Sequence, residues 1–496
     1  MHSSFELSKS LEPSVGETFS ADLRLIEPVS KRSTAASFRR VVVLCEATAD
    51  FLTVMLAVTL GCFAYNHLEL GRRVHYPTQG VVGLAFTLAM VMVLMLDRAG
   101  SYNYGNSLLR VRETEQVLRV SAQGFLLVLT VSFLGSVLFS RWLLILCSTL
   151  VPLALFLQKT VMYLLVRALH SRGYGIEKVL IYGSGSTGRR VLSVLNRSPK
   201  LGLEPVAFVD DDPAKVGRMV FEMGYEPRRS APVVEGPLSR ELVNRYGVDL
   251  VIIAIPSIEH GKLTRMIKDA FDAKTRVSFV PSHFLLFDPW IDYQDIDGVL
   301  LVSLGRSARR AAYEIFKRAF DVLGSLVLLV LGMPLFLLLA LVIKIDSPRA
   351  VMFRQERIGR NGRLFKMYKF RTMLSSTPQY DYSPISSSDP RITRVGRFLR
   401  RTSLDELPQL LNVLLGDMSL VGPRPEMPFI VEQYSEKHRQ RLLVKPGLTG
   451  LWQLSGDRAF LIHENLEYDL YYIQHRNFFM DLAILLHTSI FAMRGV

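Results

Sequence analysis

Cysteine is scarce in this sequence and never occurs in pairs. The three cysteines, Cys45, Cys62 and Cys147, lie in apolar runs, and no two have a Cys-x-x-Cys spacing. We therefore expect neither disulfides nor a cysteine metal cluster. Residues 1–36 also lack the apolar core of a signal peptide. This segment, polar and without periodicity, is predicted to be a disordered cytosolic tail.

Acidic residues are outnumbered, with 45 Asp and Glu against 59 Lys and Arg and a formal net charge of +14. Such a basic excess suits nucleic acid, a membrane surface or anionic substrates. Hydrophobic residues make up 49% of the chain and cluster in long runs. Together, these two features favour a lipid bilayer and phosphate ligands as partners, and we expect no nucleic acid partner.

Four apolar runs predict a unit of four transmembrane helices at residues 37–170. A helix needs roughly 20 apolar residues to cross a bilayer core, so the second run must borrow flanking residues. Arginines and lysines are most frequent before the first run, between the second and third, and after the fourth. The positive-inside rule then places both ends of the unit in the cytoplasm. A buried soluble core is the alternative, although several runs of this length fit it poorly. The runs are 41–64, 81–96, 122–139 and 142–166.

A Rossmann-like domain is predicted at 171–305. The apolar stretch 178–183 predicts a buried strand, and a G-x-G-x-x-G pattern follows it and is predicted to open a helix at Arg189. An acidic residue follows a second predicted strand, at the place expected for a ribose contact. The glycines are needed for the turn in any case, so nucleotide binding stays open. The candidate nucleotide contacts are Gly183, Gly185, Gly188 and Asp210.

The segment from Val322 to Ile343 is apolar throughout and carries Pro334 near its middle. A basic amphipathic stretch at 309–318 precedes it and suits an anionic headgroup layer. Because proline disrupts a helix, the segment can break at Met333-Pro334 and return to the same face of the membrane. An ordinary kinked transmembrane helix is the alternative.

Residues 345–496 carry the features of a phosphate site. Ser403 and Glu406 have a capping-box spacing, which predicts Asp405 in the first turn of a helix. A carboxylate held there against phosphorus can attack it to form an acyl-phosphate. The alternative is a solvated, capped helix start. Arginines precede this point, at Arg391, Arg394, Arg397, Arg400 and Arg401.

Two loops further on strengthen the phosphate interpretation. Arg424 lies between prolines in Gly-Pro-Arg-Pro, which predicts a stiff loop that displays its guanidinium, or else a structural turn. Lys-Pro-Gly-Leu-Thr-Gly at 445–450 is followed by Trp452, which could stack on a base or anchor at the membrane interface.

The sequence from about 310 to 496 resembles the bacterial sugar transferase family, the monotopic phosphoglycosyl transferases. The resemblance rests on Ser-Leu-Asp-Glu-Leu-Pro-Gln around Asp405, on Gly-Pro-Arg-Pro, on Lys-Pro-Gly-Leu-Thr-Gly, and on Asp469-Leu-Tyr-Tyr. It implies an α/β membrane protein with a four-helix transmembrane bundle, a Rossmann-like domain, and a mostly helical catalytic module at 306–496. Within that module the resemblance implies a re-entrant helix at about 320–343, broken at Met333-Pro334. Many members have Ser-Pro there, so the methionine is a mild departure.

The same resemblance implies a two-step reaction in the bacterial inner membrane, with the catalytic module facing the cytoplasm. Asp405 would attack the β-phosphate of a UDP-sugar and release UMP, and undecaprenyl phosphate would then attack the aspartyl-phosphosugar. Glucose is the expected sugar and galactose the alternative, for exopolysaccharide, capsule or O-antigen synthesis. Mg²⁺ is the implied cofactor, with Glu406 and Asp469 as its ligands. Separately, four helices with a large soluble domain suggest a homodimer. The implied substrate contacts are Arg400, Arg424, Asp469, Lys369 and Arg371.

Two functions of other classes remain open. The Rossmann-like domain could make the chain a membrane-bound, NAD-dependent sugar-nucleotide oxidoreductase or epimerase. No Tyr-x-x-x-Lys pair, typical of short-chain dehydrogenases, follows in this domain. A membrane scaffold or nucleotide sensor is the other alternative.

Overall fold

A computed structural model describes most of the chain, and the account below is confined to that part. Apart from the helix start at Thr34, the predicted disordered tail at 1–36 lies outside it. The described residues are 34–68, 78–102, 110–134, 139–197, 201–221, 230–255, 258–272, 275–280, 291–296, 299–304, 308–347, 349–374, 389–454 and 466–493.

Four long helices occupy the first third of the chain, where the apolar runs predict them. The second has 21 residues because it takes up residues on both sides of its short apolar run. Many of their large apolar side chains are exposed, as with Phe133 at 85%, which suits helices that face lipid. All four are long and apolar enough to cross a membrane. They are α1 (Thr34–His67), α2 (Thr78–Arg98), α3 (Arg110–Leu134) and α4 (Arg141–Ser171).

The chain divides into two compact units, which are described separately. The first comprises residues 1–49 and 158–283, and the second comprises 50–157 and 284–496. Two of the boundaries, at 49/50 and 157/158, fall inside α1 and α4.

The first unit contains a six-stranded sheet in the order β3-β4-β2-β1-β5-β6. Only β3 is antiparallel to its neighbour, and the other pairs are parallel. Central-strand side chains are buried on both faces, as a parallel sheet covered by helices requires. The structure thus has the predicted Rossmann-like sheet. Its elements are β1 (Glu177–Tyr182), α5 (Ser186–Arg197), β2 (Leu203–Asp210), β3 (Met219–Phe221), β4 (Ser230–Glu235), α6 (Arg240–Tyr246), β5 (Leu250–Ile253), α7 (His260–Asp272) and β6 (Arg276–Phe279).

The second unit combines most of the four helices with the catalytic-looking region. Two hairpins, β7–β8 and β9–β10, are antiparallel, whereas β11 and β12 pair in parallel. Its elements after α4 are β7 (Ile291–Ile296), β8 (Val299–Leu304), α8 (Ala308–Asp346), β9 (Met352–Ile358), β10 (Leu364–Phe370), α9 (Arg394–Thr402), α10 (Gln409–Leu415), β11 (Ser419–Val421), α11 (Pro428–Val431), α12 (Glu436–Arg439), β12 (Gly447–Thr449), α13 (Leu466–His475) and α14 (Phe478–Met493).

The apolar helix α14 packs against α3. Thr114 of α3 and His487 of α14 lie 2.8 Å apart, and Asn477 donates to the carboxylate of Glu115 at 3.1 Å. Val111 of α3 joins the same apolar core as the catalytic-looking region. One face of α3 is therefore bound to the module that follows α8.

Helix α8 is the fifth helix long and apolar enough to cross a membrane. It continues through Met333 and Pro334 as one assigned helix of 39 residues, so the predicted break and re-entrant path are not confirmed by a helix end.

Both halves of α8 pack on the same module. In the first half, Asp321 accepts hydrogen bonds from the hydroxyl of Ser419 and the amide of Leu420 at 3.1 and 3.0 Å. In the second half, Ile343 shares an apolar core with Phe370 and Leu399. These contacts lie 22 residues apart, which is roughly 33 Å along a straight helix.

Candidate active site

Asp405 and Glu406 lie in a short 3₁₀ turn, Leu404–Glu406, between helices α9 and α10. Helix α9 ends at Ser403, whose φ of 57° is left-handed, a common conformation at a helix C-terminus. Pro408 precedes the first residue of α10 and fits the start of a helix because it needs no amide donor there. The two carboxylates are thus displayed at a sharp corner of the chain.

The predicted capping box is wrong. Ser403 ends a helix instead of starting one, and its side chain makes no capping hydrogen bond to the 3₁₀ turn. Asp405 therefore does not lie in the first turn of an α-helix. The charge environment of the corner, and not a helix dipole, must account for any anion binding there.

Lys369 reaches this corner from strand β10. Side chains of a strand alternate between faces, so Lys369 shares a face with Phe365 and Met367, both buried. Those two residues hold the strand against the core, and Lys369 extends from the same face at the strand end. Its ammonium group donates to Oε1 of Glu406 at 2.9 Å.

Glu406 also contacts Arg424, whose guanidinium lies 3.5 Å from the same oxygen. Two predicted substrate-binding cations thus share one carboxylate. Asp405 differs from its neighbour, because its carboxylate makes no hydrogen bond or ion pair among the residues that the structure describes.

The surroundings of Asp405 act on its ionisation in opposite directions. Burial raises the pKa of its carboxyl, Lys369 lowers it, Glu406 raises it, and Arg400 and Arg424 lower it. The balance is a raised pKa, because loss of hydration and the adjacent negative charge outweigh the cations. Asp405 is therefore a partly desolvated carboxylate surrounded by three cations and bonded to none of them.

Arg400 is held by the segment that follows β10. Its Nε donates to the hydroxyl of Thr372 at 3.0 Å. Helix α9 approaches this segment closely at Gly396, where an added Cβ would lie 2.1 Å from the Thr372 carbonyl oxygen. The glycine thus lets α9 bring Arg400 to within electrostatic reach of Asp405.

The loop that carries Arg424 is fixed by contact with the Lys-Pro-Gly motif. The amide of Gly422 donates to Thr449, and the amide of Gly447 donates to Pro423, at 2.9 and 2.8 Å. An added Cβ on Gly447 would lie 2.0 Å from the Gly422 nitrogen. The glycines of these two predicted motifs therefore serve one purpose, which is close backbone approach.

Asp469 does not join Glu406 in the structure. Its carboxylate accepts from Nε of Arg441 at 2.7 Å, and both side chains are 2% exposed. Arg441 also donates to the hydroxyl of Tyr434 at 2.5 Å and to the backbone carbonyl of Arg424 at 3.3 Å. Asp469 is thus linked to the Arg424 loop through Arg441, which supports that loop from behind.

Sequence reasoning missed Arg441, and it also missed Asn412. The Asn412 side chain is fully buried and acts as an extra partner for strand β10. It accepts from the amide of Tyr368 at 3.0 Å and donates to the carbonyl of Lys366 at 2.7 Å. A polar residue inside the apolar run of α10 was the signal that could have identified it.

Arg371 is buried away from the carboxylates. Its guanidinium donates to the carbonyl of Ser347 at 2.5 Å, and its own amide donates to Val351 at 2.9 Å. It joins the end of α8 to the end of β10, and the structure does not bring it to Asp405.

The residues at the corner fit the predicted Mg²⁺ only in part. Among the described residues, no group of three or more His, Cys, Asp or Glu side chains is arranged to hold a metal ion. Mg²⁺ is usually held by one or two carboxylates together with substrate phosphates. Glu406, whose side chain is 20% exposed, meets that smaller requirement, whereas the Asp469 side chain is 2% exposed and paired with Arg441.

The glycine-rich turn of the Rossmann-like sheet is built mainly for packing. An added Cβ on Gly188 would lie 1.8 Å from the Gly183 carbonyl oxygen, and helix α5 starts at Ser186, three residues before the predicted start. Burial would raise the pKa of Asp210, but the hydroxyl and amide of Ser184 donate to its carboxylate and help to lower it to about 2. Asp210, the predicted ribose contact, is thus already hydrogen-bonded to Ser184. Gly185 has open space around it.

Trp452 lies in a short 3₁₀ turn, but its side chain is outside the described part of the structure.

Comparison with known proteins matches two regions of the chain to two different families. Residues 312–495 match a family described as bacterial sugar transferase, and residues 99–281 match one described as a CoA-binding domain. The chain is 32% identical over 374 residues to the undecaprenyl-phosphate galactose phosphotransferase of Salmonella typhimurium, covering 72% of this chain and 76% of that protein.

Two further relatives are named as UDP-glucose:undecaprenyl-phosphate glucose-1-phosphate transferases. The one from Klebsiella pneumoniae is 33% identical over 327 residues, covering 64% of this chain and 68% of that protein. The one from Caulobacter vibrioides is 41% identical over 211 residues, covering 41% of this chain and 79% of that protein.

Proposed function

Because the chain belongs to the bacterial sugar transferase family, we propose that it transfers hexose-1-phosphate from a UDP-sugar to undecaprenyl phosphate. We propose glucose as the hexose, with galactose as the alternative, since relatives of both kinds are similar to this chain. The enzyme is a membrane protein with five helices of membrane-crossing length among its described residues.

One observation carries the proposed mechanism. Asp405 is surrounded by Lys369, Arg400 and Arg424, and yet its carboxylate makes no bond with any described residue. Glu406, next to it, takes the hydrogen bond of Lys369 and the ion pair with Arg424. Such an arrangement leaves one carboxylate available to attack while nearby cations can bind a diphosphate.

In the first step, an oxygen of Asp405 bonds to the β-phosphorus of the UDP-sugar. The bond from that phosphorus to the bridging oxygen breaks, and UMP leaves with the electron pair. Arg400 and Arg424 lie on fixed supports, so they can neutralise the diphosphate without reorganising. Mg²⁺, held by Glu406 and the diphosphate, would supply further charge neutralisation.

In the second step, a phosphate oxygen of undecaprenyl phosphate bonds to the phosphorus of the aspartyl-phosphosugar. The bond between that phosphorus and Asp405 breaks, and the carboxylate is regenerated. The lipid must therefore present its phosphate at the same corner as the soluble substrate.

This meeting of substrates requires α8 to enter and leave the membrane on one face, as we also propose. Its first half packs against Ser419 and Leu420, and its second half packs against Phe370 and Leu399. These two contact regions are joined directly, because Asn412 of α10 bonds to strand β10. A spanning α8 would have to separate them by roughly 30 Å of hydrocarbon. The joined module therefore favours the re-entrant path.

The reaction is tested with purified enzyme, a panel of UDP-sugars and undecaprenyl phosphate. Sugar-labelled UDP-glucose should release UMP and transfer label to the lipid, and without the lipid it should label the protein. The Asp405→Asn variant should lose both UMP release and protein labelling. Unchanged UMP release in that variant would eliminate Asp405 as the nucleophile, and a requirement for NAD(H) would favour an oxidoreductase instead.

The path of α8 is tested by cysteine accessibility in a variant that lacks Cys45, Cys62 and Cys147. A cysteine at Arg349, just after α8, should react with a membrane-impermeant thiol reagent only after the cells are opened. A cysteine at Leu68, after α1, is the external control and should react in intact cells. Labelling of position 349 in intact cells would show that α8 spans the membrane.

A further inference from the structure

A basic cavity, separate from the corner at Asp405, lies beside the first half of α8. It has a volume of about 360 Å³ and lies between α8 and the loop that carries Lys445. Its lining includes Arg318 and Asp321 of α8 and Arg360 from the turn between β9 and β10. Neither Asp405 nor any cation that surrounds it lines this cavity.

Three cations face the cavity without a full set of partners. Lys445 makes no ion pair or hydrogen bond with any residue in the described ranges. Burial lowers the pKa of its ammonium group, and the positive charge of Arg318 lowers it further. Arg360 lies 4.0 Å from the carboxylate of Glu314, and its buried Nε has no hydrogen-bond partner among the residues that the structure describes.

The lining holds five cationic side chains and two carboxylates, so positive charge is in excess. Asp321 accepts from the Ser419 hydroxyl and the Leu420 amide, while the Glu314 carboxylate is bonded by Arg476 at 2.8 Å. Asp321 and Glu314 therefore offset only part of the positive charge of the lining. Cations held close together are costly unless an anion binds between them.

Arg318 is fixed in position to bind such an anion. Its two terminal nitrogens donate to the backbone carbonyls of Val413 and Leu414 at 2.7 and 2.9 Å. A guanidinium has five N–H donors, so donors remain for a ligand in the cavity. The contacted carbonyls lie at the far end of α10 from Asp405. Since α10 has seven residues, it separates the two places by roughly 10 Å.

The cavity edge is apolar on the side of α8. Ile315 lines the cavity and is 75% exposed, and its neighbour Phe316 is 53% exposed. A ligand bound here would hold an anionic group among the cations and apolar chains along α8. We propose that this cavity binds the phosphate of an anionic membrane phospholipid. This inference rests on the proposed membrane placement of α8, and the site is separate from the acceptor position at Asp405.

Binding is measured on the full chain in detergent by calorimetric titration. The probes are dihexanoyl-phosphatidylglycerol, dihexanoyl-phosphatidylcholine, inorganic phosphate and a short-chain polyprenyl phosphate. The test variants are Arg360→Gln and Lys445→Gln. Arg363→Gln is the matched control, because it removes an exposed charge from the same hairpin without changing the cavity lining.

We expect saturable binding of phosphatidylglycerol that weakens roughly tenfold or more in each test variant, since each loses a charge-assisted hydrogen bond. Binding should be unchanged in Arg363→Gln and much weaker for phosphatidylcholine. If Lys445→Gln fails to fold, the partly exposed Arg360 gives the deciding variant.

Three results would overturn the proposal. Equal binding of both phospholipids would exclude recognition of net negative charge. If inorganic phosphate binds as tightly as phosphatidylglycerol, the ligand is a soluble ion. If polyprenyl phosphate binds more tightly than phosphatidylglycerol and its binding depends on Arg360, the cavity is a site for the acceptor substrate. UMP release, assayed in parallel, tests the proposed function independently, because it depends on Asp405 and not on this cavity.

Discussion

The pair formed by Asp469 and Arg441 leads to a prediction that separates support of the site from metal binding. In the Asp469→Asn variant, the Arg441 guanidinium loses its closer carboxylate partner, at 2.7 Å, and stays 2% exposed. Removing one partner of such a buried pair costs about 3–5 kcal/mol. Glu426, at 3.7 Å from Arg441, offsets part of this loss, so we expect a cost near the lower limit, about 3 kcal/mol.

For a module of this size, that cost lowers the melting temperature by about 6–12 °C. The melting temperature is measured on the full chain in detergent, and UMP release is measured as a function of Mg²⁺ concentration. We expect lower stability and a lower turnover, because the Arg424 loop loses support, with no change in the Mg²⁺ concentration for half-maximal activity. Glu432→Gln is the control, since it removes an exposed carboxylate from a nearby segment.

The reasoning is refuted if Asp469→Asn melts like the unaltered enzyme and needs roughly tenfold more Mg²⁺. That outcome would make Asp469 a metal ligand, as the family resemblance first implied, and would require the Arg441 pair to open during catalysis.

Three further predictions concern the same site. UMP release should fall as the pH drops through the raised pKa of Asp405, because only the ionised carboxylate attacks. Glu406→Gln should move this acid limb to lower pH, since it removes a negative charge that raises that pKa, and an unmoved limb in the pH profile would contradict this. Gly447→Ala should destabilise the enzyme by about 3 kcal/mol or more, because its Cβ meets backbone at 2.0 Å, whereas Gly261→Ala, with open space around it, should melt normally. Asn412→Ala should cost about 3 kcal/mol in thermal or denaturant unfolding, because two backbone groups of β10 lose their partner; a stable variant would show that water replaces the amide.

The sequence was sufficient to predict the parts of the fold that depend on local pattern. The apolar runs predicted α1 to α4, and the strand–glycine–helix pattern predicted the Rossmann-like sheet that contains β1. Element starts were less accurate, as with α5, because helix ends depend on contacts such as that of Gly188 with Gly183.

The candidate site was predicted in its composition but less well in its arrangement. Asp405, Glu406, Lys369, Arg400 and Arg424 do come together, because each lies at an end or a corner of an element that the core positions. The roles of Ser403, Arg371 and Asp469 could not be predicted, since backbone conformation and buried partners distant in sequence determine them. Arg441 gave no local signal, because its partner Asp469 lies 28 residues later.

The first half of α8 supplies Asp321 as a hydrogen-bond acceptor for the module, and its second half supplies apolar side chains such as Ile343. The module and this helix therefore form one folding unit. A fragment that begins after Asp346 would leave the Leu420 amide and the Ser419 hydroxyl without their carboxylate, and would uncover the surface around Phe370 and Leu399. Such a fragment should aggregate when it is expressed alone. Efforts to obtain a water-soluble version of this enzyme must therefore redesign the outer face of α8 and keep the helix in place.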